Sequence, residues 1–486
     1  MTSPSNSTRV LLPVALSLAM LGGCAGLEQR MPPADATATP PAQWHAPLPH
    51  NGQLSDLRAW WLQFDDPLLT RLVAAAQQAS PTIASARSRI EQSRATRVAA
   101  GAALAPAIDA NASASRGRQD LSMPLATSAS ASLQAAWEID LFGGKRAASD
   151  AAQARLEAAQ AQWHDARVSV AAETASTYTS LRACQAQLAQ TEADAASRAE
   201  TSRLTELSAN SGFQSPANAA LARASAAQGS GNATQQRAQC ELDLKSLVAL
   251  TGIAEPTLRS DLRPATARLP QPAQLAIATV PAQALAQRPD LYSAARDVIA
   301  ASADVTQSQS QRLARISLAG NIGSARIDTG AGTTSGTIWS FGPLSVTLPI
   351  FDGGTRKANV EASRARYDEA VSLYGAKLRS AVREVEQALV TLQSTADRTR
   401  DAQIAAEGFN ASFRATESRF RGGLASLFEL EDARRTDVQA RSELISLQRE
   451  RVLAWITLYR ALGGGWDATQ APIAAAPAPA LASSLH

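Results

Sequence analysis

Aromatic side chains make up only 5% of this 486-residue chain, and it has four histidines and three cysteines. Neither sign of charge dominates, with 46 basic against 43 acidic side chains. The scarcity of aromatics excludes a conventional bulky core along the whole length, and points instead to alanine-rich helices packing closely. The charge balance, without any Lys/Arg-rich block, excludes a nucleic-acid surface. His45, His50, His164 and His486 are scattered, and there is no HExxH, CxxC, Walker A or dinucleotide glycine pattern. The expectation is therefore no catalytic residue, no metal and no cofactor other than lipid. Beyond the N-terminal segment no uninterrupted apolar run of about 20 residues exists, so no transmembrane helix is expected in the mature chain.

What is present begins with Arg9 and the apolar run "VLLPVALSLAML", Val10 to Leu21. Small residues and Cys24 follow, which is the layout of a secretory signal over 1–23. "LGGC", Leu21 to Cys24, resembles a bacterial lipobox, which would make Cys24 the first mature residue and the bearer of a covalent lipid. The alternative is an ordinary signal peptide with an incidental cysteine. Residues 24–59, rich in Pro, Ala and Thr, read as an extended tether, and 465–486 as a disordered tail.

Between them the chain repeats itself, over 60–256 and 257–464. Pro81, Ser85, Ala86 and Ile108 match Pro289, Ser293, Ala294 and Ile316 at an offset of 208. Glu173, Gly212, Ser215, Arg223 and Gly252 match Glu384, Gly423, Ser426, Arg434 and Gly463 at an offset of 211. Each unit reads helix, strand, strand, long helix, turn, helix. Strands are expected at about 106–118, 126–142, 314–328 and 337–351, because apolar and polar residues alternate there with period two. In "SASASLQAAWEIDL" Ala129, Ala131, Leu133, Ala135, Trp137 and Ile139 share one face and Ser128, Ser130, Ser132 and Gln134 the other. In "GPLSVTLPIF" the apolar face is Leu344, Val346, Leu348 and Ile350.

"WEIDLFGGKR" and its near copy "LPIFDGGTR" then break on Gly143–Gly144 and Gly353–Gly354 and open into helical hairpins over 144–252 and 354–463. Gly212 and the pair Gly422–Gly423 mark the hairpin tips, with Ser215 and Ser426 capping the returning helices. The fold class is α+β, mostly α, and internally duplicated. Four strands apolar on one face suit the wall of a membrane β-barrel but cannot close one, and an open edge in lipid leaves backbone groups unsatisfied. Two copies would give a barrel too narrow to conduct; three would give twelve strands and an open lumen. A soluble sheet capping a helical bundle is the alternative.

The chain resembles the TolC-type outer-membrane efflux family, in its NodT-like lipoprotein branch, over roughly Trp60 to Gly464. The resemblance rests on "WWLQFDDPLLTRLV", "WEIDLFGGKR", "RPDLYSAA", "LPIFDGG" and "RFRGGLASLFELEDARR". It implies a homotrimer with a twelve-stranded outer-membrane barrel continued by a twelve-helix periplasmic α-barrel. It also implies a passive exit duct meeting a periplasmic adaptor and an inner-membrane RND-type pump, gated at the helical tip. By resemblance Asp432 takes the place of a pore-facing acidic residue, with Glu429, Arg419 and Arg421 as candidates for the bonds that hold the gate shut. A solvated charged helix face is the plainer reading of each. A type I-like protein secretion duct and a structural periplasmic spacer remain as competing functions. Finally, Cys184 and Cys240 lie equally far before and after Gly212, so an antiparallel hairpin sets them at one height. In an oxidising periplasm they are candidates for a disulfide, the alternative being two buried thiols.

Overall fold

A computed structural model describes residues 57–118, 125–264, 266–272, 285, 288–329 and 331–466. The expected signal peptide, the Cys24 anchor and nearly all of the tether and tail lie outside the described residues. The chain forms two compact units, one holding 96–154 and 297–372, the other the remaining described segments. These units cut across the two sequence repeats. The strands of both repeats join one sheet, because a lone two-stranded hairpin is marginal in isolation.

The first unit contains β1 (Ala107–Gly117), β2 (Ala126–Ile139), β3 (Arg315–Asp328) and β4 (Thr333–Thr347). They form one antiparallel sheet in the order β1-β2-β3-β4. The register places Ala110 opposite Leu133, Leu133 opposite Ile322 and Ile322 opposite Trp339, so the apolar positions of all four strands coincide on one face. That face is bare: Leu133, Ile322 and Trp339 are all more than half exposed. The opposite face carries hydroxyls that pair across strands, Ser113 with Ser130 at 2.9 Å, Ser115 with Ser128 at 2.8 Å and Ser317 with Ser345 at 2.7 Å.

β4 differs from expectation at both ends. It starts at Thr333 and stops at Thr347, so Leu348 and Ile350 lie outside the strand. Its ladder ends where β3 begins, at the Arg315–Thr347 pair. A register shift between Leu318 and Gly320 moves the side-chain alternation by one residue. Trp339 and Phe341 therefore join Leu344 and Val346 on the apolar face, although their parity in the sequence differs. Pro343, which has no N–H to give to a ladder, sits at this irregularity. β2 likewise ends at Ile139, short of residue 142.

Both strand-to-helix joints are capped by an aspartate. Asp140 accepts from the backbone N–H groups of Lys145 and Arg146 at 3.1 and 2.8 Å. Asp352 accepts from those of Gly354 and Arg356 at 3.0 and 3.1 Å. Gly143, at φ +73°, makes the turn itself. Gly144 serves close approach instead: a Cβ there would meet the Ser310 hydroxyl at 2.0 Å. Trp137 donates its indole N–H to the Leu104 carbonyl at 2.9 Å, fixing the end of β2.

The helices are α1 (Pro67–Ala79), α2 (Pro81–Ala102), α3 (Gly144–Asn210), α4 (Pro216–Thr251), α5 (Glu255–Leu262), α6 (Pro289–Ser310), α7 (Thr355–Arg421) and α8 (Leu427–Ala461). α3 and α7 each have 67 residues, on the order of 100 Å at the α-helical rise. Among the described residues no helix is long and apolar enough to cross a membrane.

Most of the chain's few aromatics gather in the second unit. Trp60, Trp61 and Phe64 pack with Tyr178, Leu247, Trp455 and Tyr459 in its main core. Asp66 caps α1, accepting from Leu68 and Leu69, and takes the Tyr178 hydroxyl at 2.6 Å. Buried Arg182 donates to the Tyr178 oxygen and to the Leu262 carbonyl, tying α3 to the end of α5. Arg288 of "RPDLYSAA" is also buried, binding Asp290, Glu384 and the Ala461 carbonyl.

Candidate functional site at the helical tips

The second unit holds both hairpin tips. α3 ends at Asn210, Gly212 takes φ +81°, and the Phe213 N–H returns to the Ser208 carbonyl at 2.9 Å. Ser215 then caps α4, accepting from the Asn218 N–H at 3.2 Å. In the second hairpin the left-handed residue is Gly423, at φ +73°, while Gly422 keeps out of that region. Leu424 N–H closes the turn on the Arg419 carbonyl at 2.8 Å. Ser426 and Glu429 form a reciprocal capping box at the start of α8.

This geometry gives each expected gate residue a local partner. Glu429 is committed to the cap, and the Ser426 N–H, 2.6 Å from its carboxylate, holds its pKa below the ordinary value. Arg419 donates to the Leu424 carbonyl at 3.1 Å within its own turn. Arg421 pairs with Glu417 at 3.1 Å. Asp432 pairs with Arg435 one turn along α8, and both side chains are more than half exposed. Among the bonds of the described residues none joins one of these four to another. Glu431 and Arg435, spaced i,i+4, do not pair: Glu431 turns inward to Arg198, Ser225 and Arg434. Reading the sequence as a list of tip charges missed Asp194 and Arg198, which reach this cluster from α3. The available signal was the pair Gly229 and Gly231, glycines inside α4 far from any turn, of which only Gly229 lies against Arg198.

Away from the tips, the Cys184 and Cys240 sulfurs stand at bonding distance with their Cα atoms 5.5 Å apart, and both residues are buried. Their partners by repeat, Thr395 and Arg451, cannot form such a link.

A bare apolar sheet face, hydroxyls on its reverse, capped strand-to-helix joints and paired long hairpins define a class: membrane channels in which β-strands run directly into helices. A family model described as outer membrane efflux protein matches residues 72–253 and 280–464, and the chain belongs to that family. It is 30% identical to the solvent efflux pump outer membrane protein SrpC of Pseudomonas putida, over 93% of this chain and 98% of that protein. It is also 30% identical to the pyoverdine export outer membrane protein OpmQ of Pseudomonas putida (strain KT2440), over 94% of this chain and 97% of the relative. Among solved structures, the outer-membrane channel OprN superposes with a TM-score of 0.79 at 26% identity, covering 88% of this chain and 98% of that one. The protein is thus an outer-membrane efflux channel with the TolC-type fold, the exit duct of a tripartite pump.

Proposed function

We propose that the chain works as a lipid-anchored homotrimer that passes small organic molecules without catalysis or a cofactor, gated at its helical tips. The cargo reaches it from an inner-membrane RND-type pump through a periplasmic adaptor. Names of relatives that speak of solvent, toluene and pyoverdine efflux support small molecules over a protein cargo. The bare apolar sheet face argues against a mere periplasmic spacer, which has no use for one. Lipid on Cys24 follows from the "LGGC" motif.

The observation that carries the gate is the fixed placement of Asp432. It lies one turn beyond the Ser426–Glu429 capping box, exposed, with its carboxylate paired to Arg435. Around a threefold axis three such carboxylates favour cations and repel one another unless each is paired with a basic group, and in the closed tip such pairing makes the ring a net stabilising contact. Conductance of the purified protein in planar bilayers tests this. Asp432→Ala, alone or with Arg419→Ala, is expected to raise it several-fold, on the order of 1 kcal/mol lost from the closed state. Unchanged conductance removes these residues from the gate.

A further inference from the structure

A cleft of about 480 Å³ lies within the first unit, where the strands become helices. Its walls come from the end of α2, the joint after β2, the first turns of α3 and α7, and the segment between α6 and β3. Three bases, Lys145, Arg315 and Arg356, and two acids, Glu138 and Asp140, line it. Ile139, Phe142 and Ala148 supply apolar surface beside them. Gly144 and Ser310 also belong to the lining, and their close approach holds α6 against the joint. The cleft is therefore built from elements already fixed to one another.

Most of these charges are already committed. Asp140 takes the Lys145 and Arg146 N–H groups at the start of α3, where the helix dipole offsets a carboxylate. Lys145 donates to the Ala103 carbonyl at 3.1 Å and stands 3.7 Å from Glu138. Arg356 is held by Asp352 at 2.9 Å. Arg315 differs. It is exposed at the start of β3, and among the described residues no carboxylate lies within ion-pair distance of it. It shares a face of β3 with Ser317, which pairs with Ser345 and stands opposite Glu138. The uncommitted cation of the cleft thus belongs to the hydroxyl face of the sheet. The second joint lacks this arrangement. Aligned on the glycine pairs it has Leu348 for Glu138 and Thr355 for Lys145, and β1 has Ala107 for Arg315. The same turn from strand to helix forms there without these charges, so the turn does not need them.

We propose that the cleft is a binding station for a soluble organic anion with an apolar body. A carboxylate or sulfonate meets Arg315, with Lys145 on the same cleft wall, and the hydrocarbon part lies against Ile139, Phe142 and Ala148. Hydrogen bonds from a guanidinium to an anionic oxygen are among the stronger polar contacts, and Arg315 has its donors free for them. Apolar walls with a few placed polar groups are the usual make-up of a small-molecule site. A neutral solute gains only the apolar contact, and a cation meets the charge of Arg315. The inference deepens the reading of the chain as an efflux duct and rests on the hydroxyl face being its inner wall.

Calorimetric titration of the full-length protein, purified in dodecyl maltoside, tests the station with octanesulfonate as the anion. Octyltrimethylammonium serves as the cation of equal chain length. Octanesulfonate is expected to bind once per chain, and the cation about tenfold more weakly or not at all. Arg315→Gln should weaken the anion about tenfold, while Arg315→Lys should keep most of the affinity. Ala148→Phe changes no charge but fills the cleft, and should abolish binding. Octanesulfonate affinity unchanged in either Arg315→Gln or Ala148→Phe overturns the station. So does equal binding of the cation, or a wild-type protein that takes up neither probe. Phosphatidylglycerol in the same titration separates a membrane lipid from a solute. Binding of that lipid that depends on Arg315, without binding of octanesulfonate, overturns the solute assignment. Conductance in planar bilayers checks the duct separately. A conducting protein that binds no octanesulfonate overturns the station alone, and a non-conducting protein that binds it overturns the duct alone.

Discussion

Burial, assisted by the charge of Arg167, lowers the pKa of His164 from 6.5 to about 4. The imidazole lies edge-on to Trp163 with ring centroids 4.8 Å apart. Because the folded state resists protonation that the unfolded state accepts, acid favours unfolding here. Stability contributed by the neutral ring is complete above the unfolded value near 6.5 and declines as pH falls towards 4. The thermal midpoint should therefore fall between pH 7 and pH 4.5, and His164→Gln should show a shallower fall over that window. Equal slopes in the two proteins would mean that His164 is as readily protonated folded as unfolded. His164 also illustrates what the sequence conceals. Trp163 stands beside it in the sequence, but the ring of Trp466, far along the chain, does not.

At the scale of elements, the legible parts are those governed by local rules. Period-two alternation located all four strands, Ser215 and Ser426 located two helix starts, and Gly212 and Gly423 located the tips, because each signal acts within a few residues. β4 was only partly legible, since the register shift opposite Leu318 reverses which parity is apolar and hid Trp339 and Phe341. The links from Glu431 of α8 to Arg198 of α3 and Ser225 of α4 were not legible either. Their partners lie more than 200 residues apart, and a charge in a list does not reveal which way it faces. The symmetric spacing of Cys184 and Cys240 about Gly212 is an intermediate case, long-range but simple. A bond between them would pin α3 to α4 and leave α7 and α8 without an equivalent. Thiol labelling of denatured, unreduced protein should then find no free thiol from this pair, and two per chain after reduction. Two labelled thiols before reduction would end the disulfide.

For the whole molecule, β1 and β4 are the outer strands of the sheet, each with one edge unpaired within the described chain. Such edges cannot face lipid, and in the proposed homotrimer strands of neighbouring copies complete them. Light scattering of detergent-purified protein should give about three times the chain mass, as the twelve-stranded closure requires. Cys24→Ala should abolish incorporation of labelled palmitate if the lipobox reading holds. A monomeric mass, or palmitate incorporation that survives the substitution, would overturn the corresponding half of the proposal. With the apolar face turned to lipid, the hydroxyl face looks inward. Ser113, Ser115 and Ser317 are already matched to serines on the next strand. A solute passing the serine-lined stretch of such a wall finds short neutral dipoles occupied with one another, while charges of that face, Asp109 and Glu138 among them, stand near its helix-side end. Its dwell time along that stretch is brief, and the stretch behaves more like a glazed pipe than a sieve. Discrimination between solutes must then be exercised before they enter.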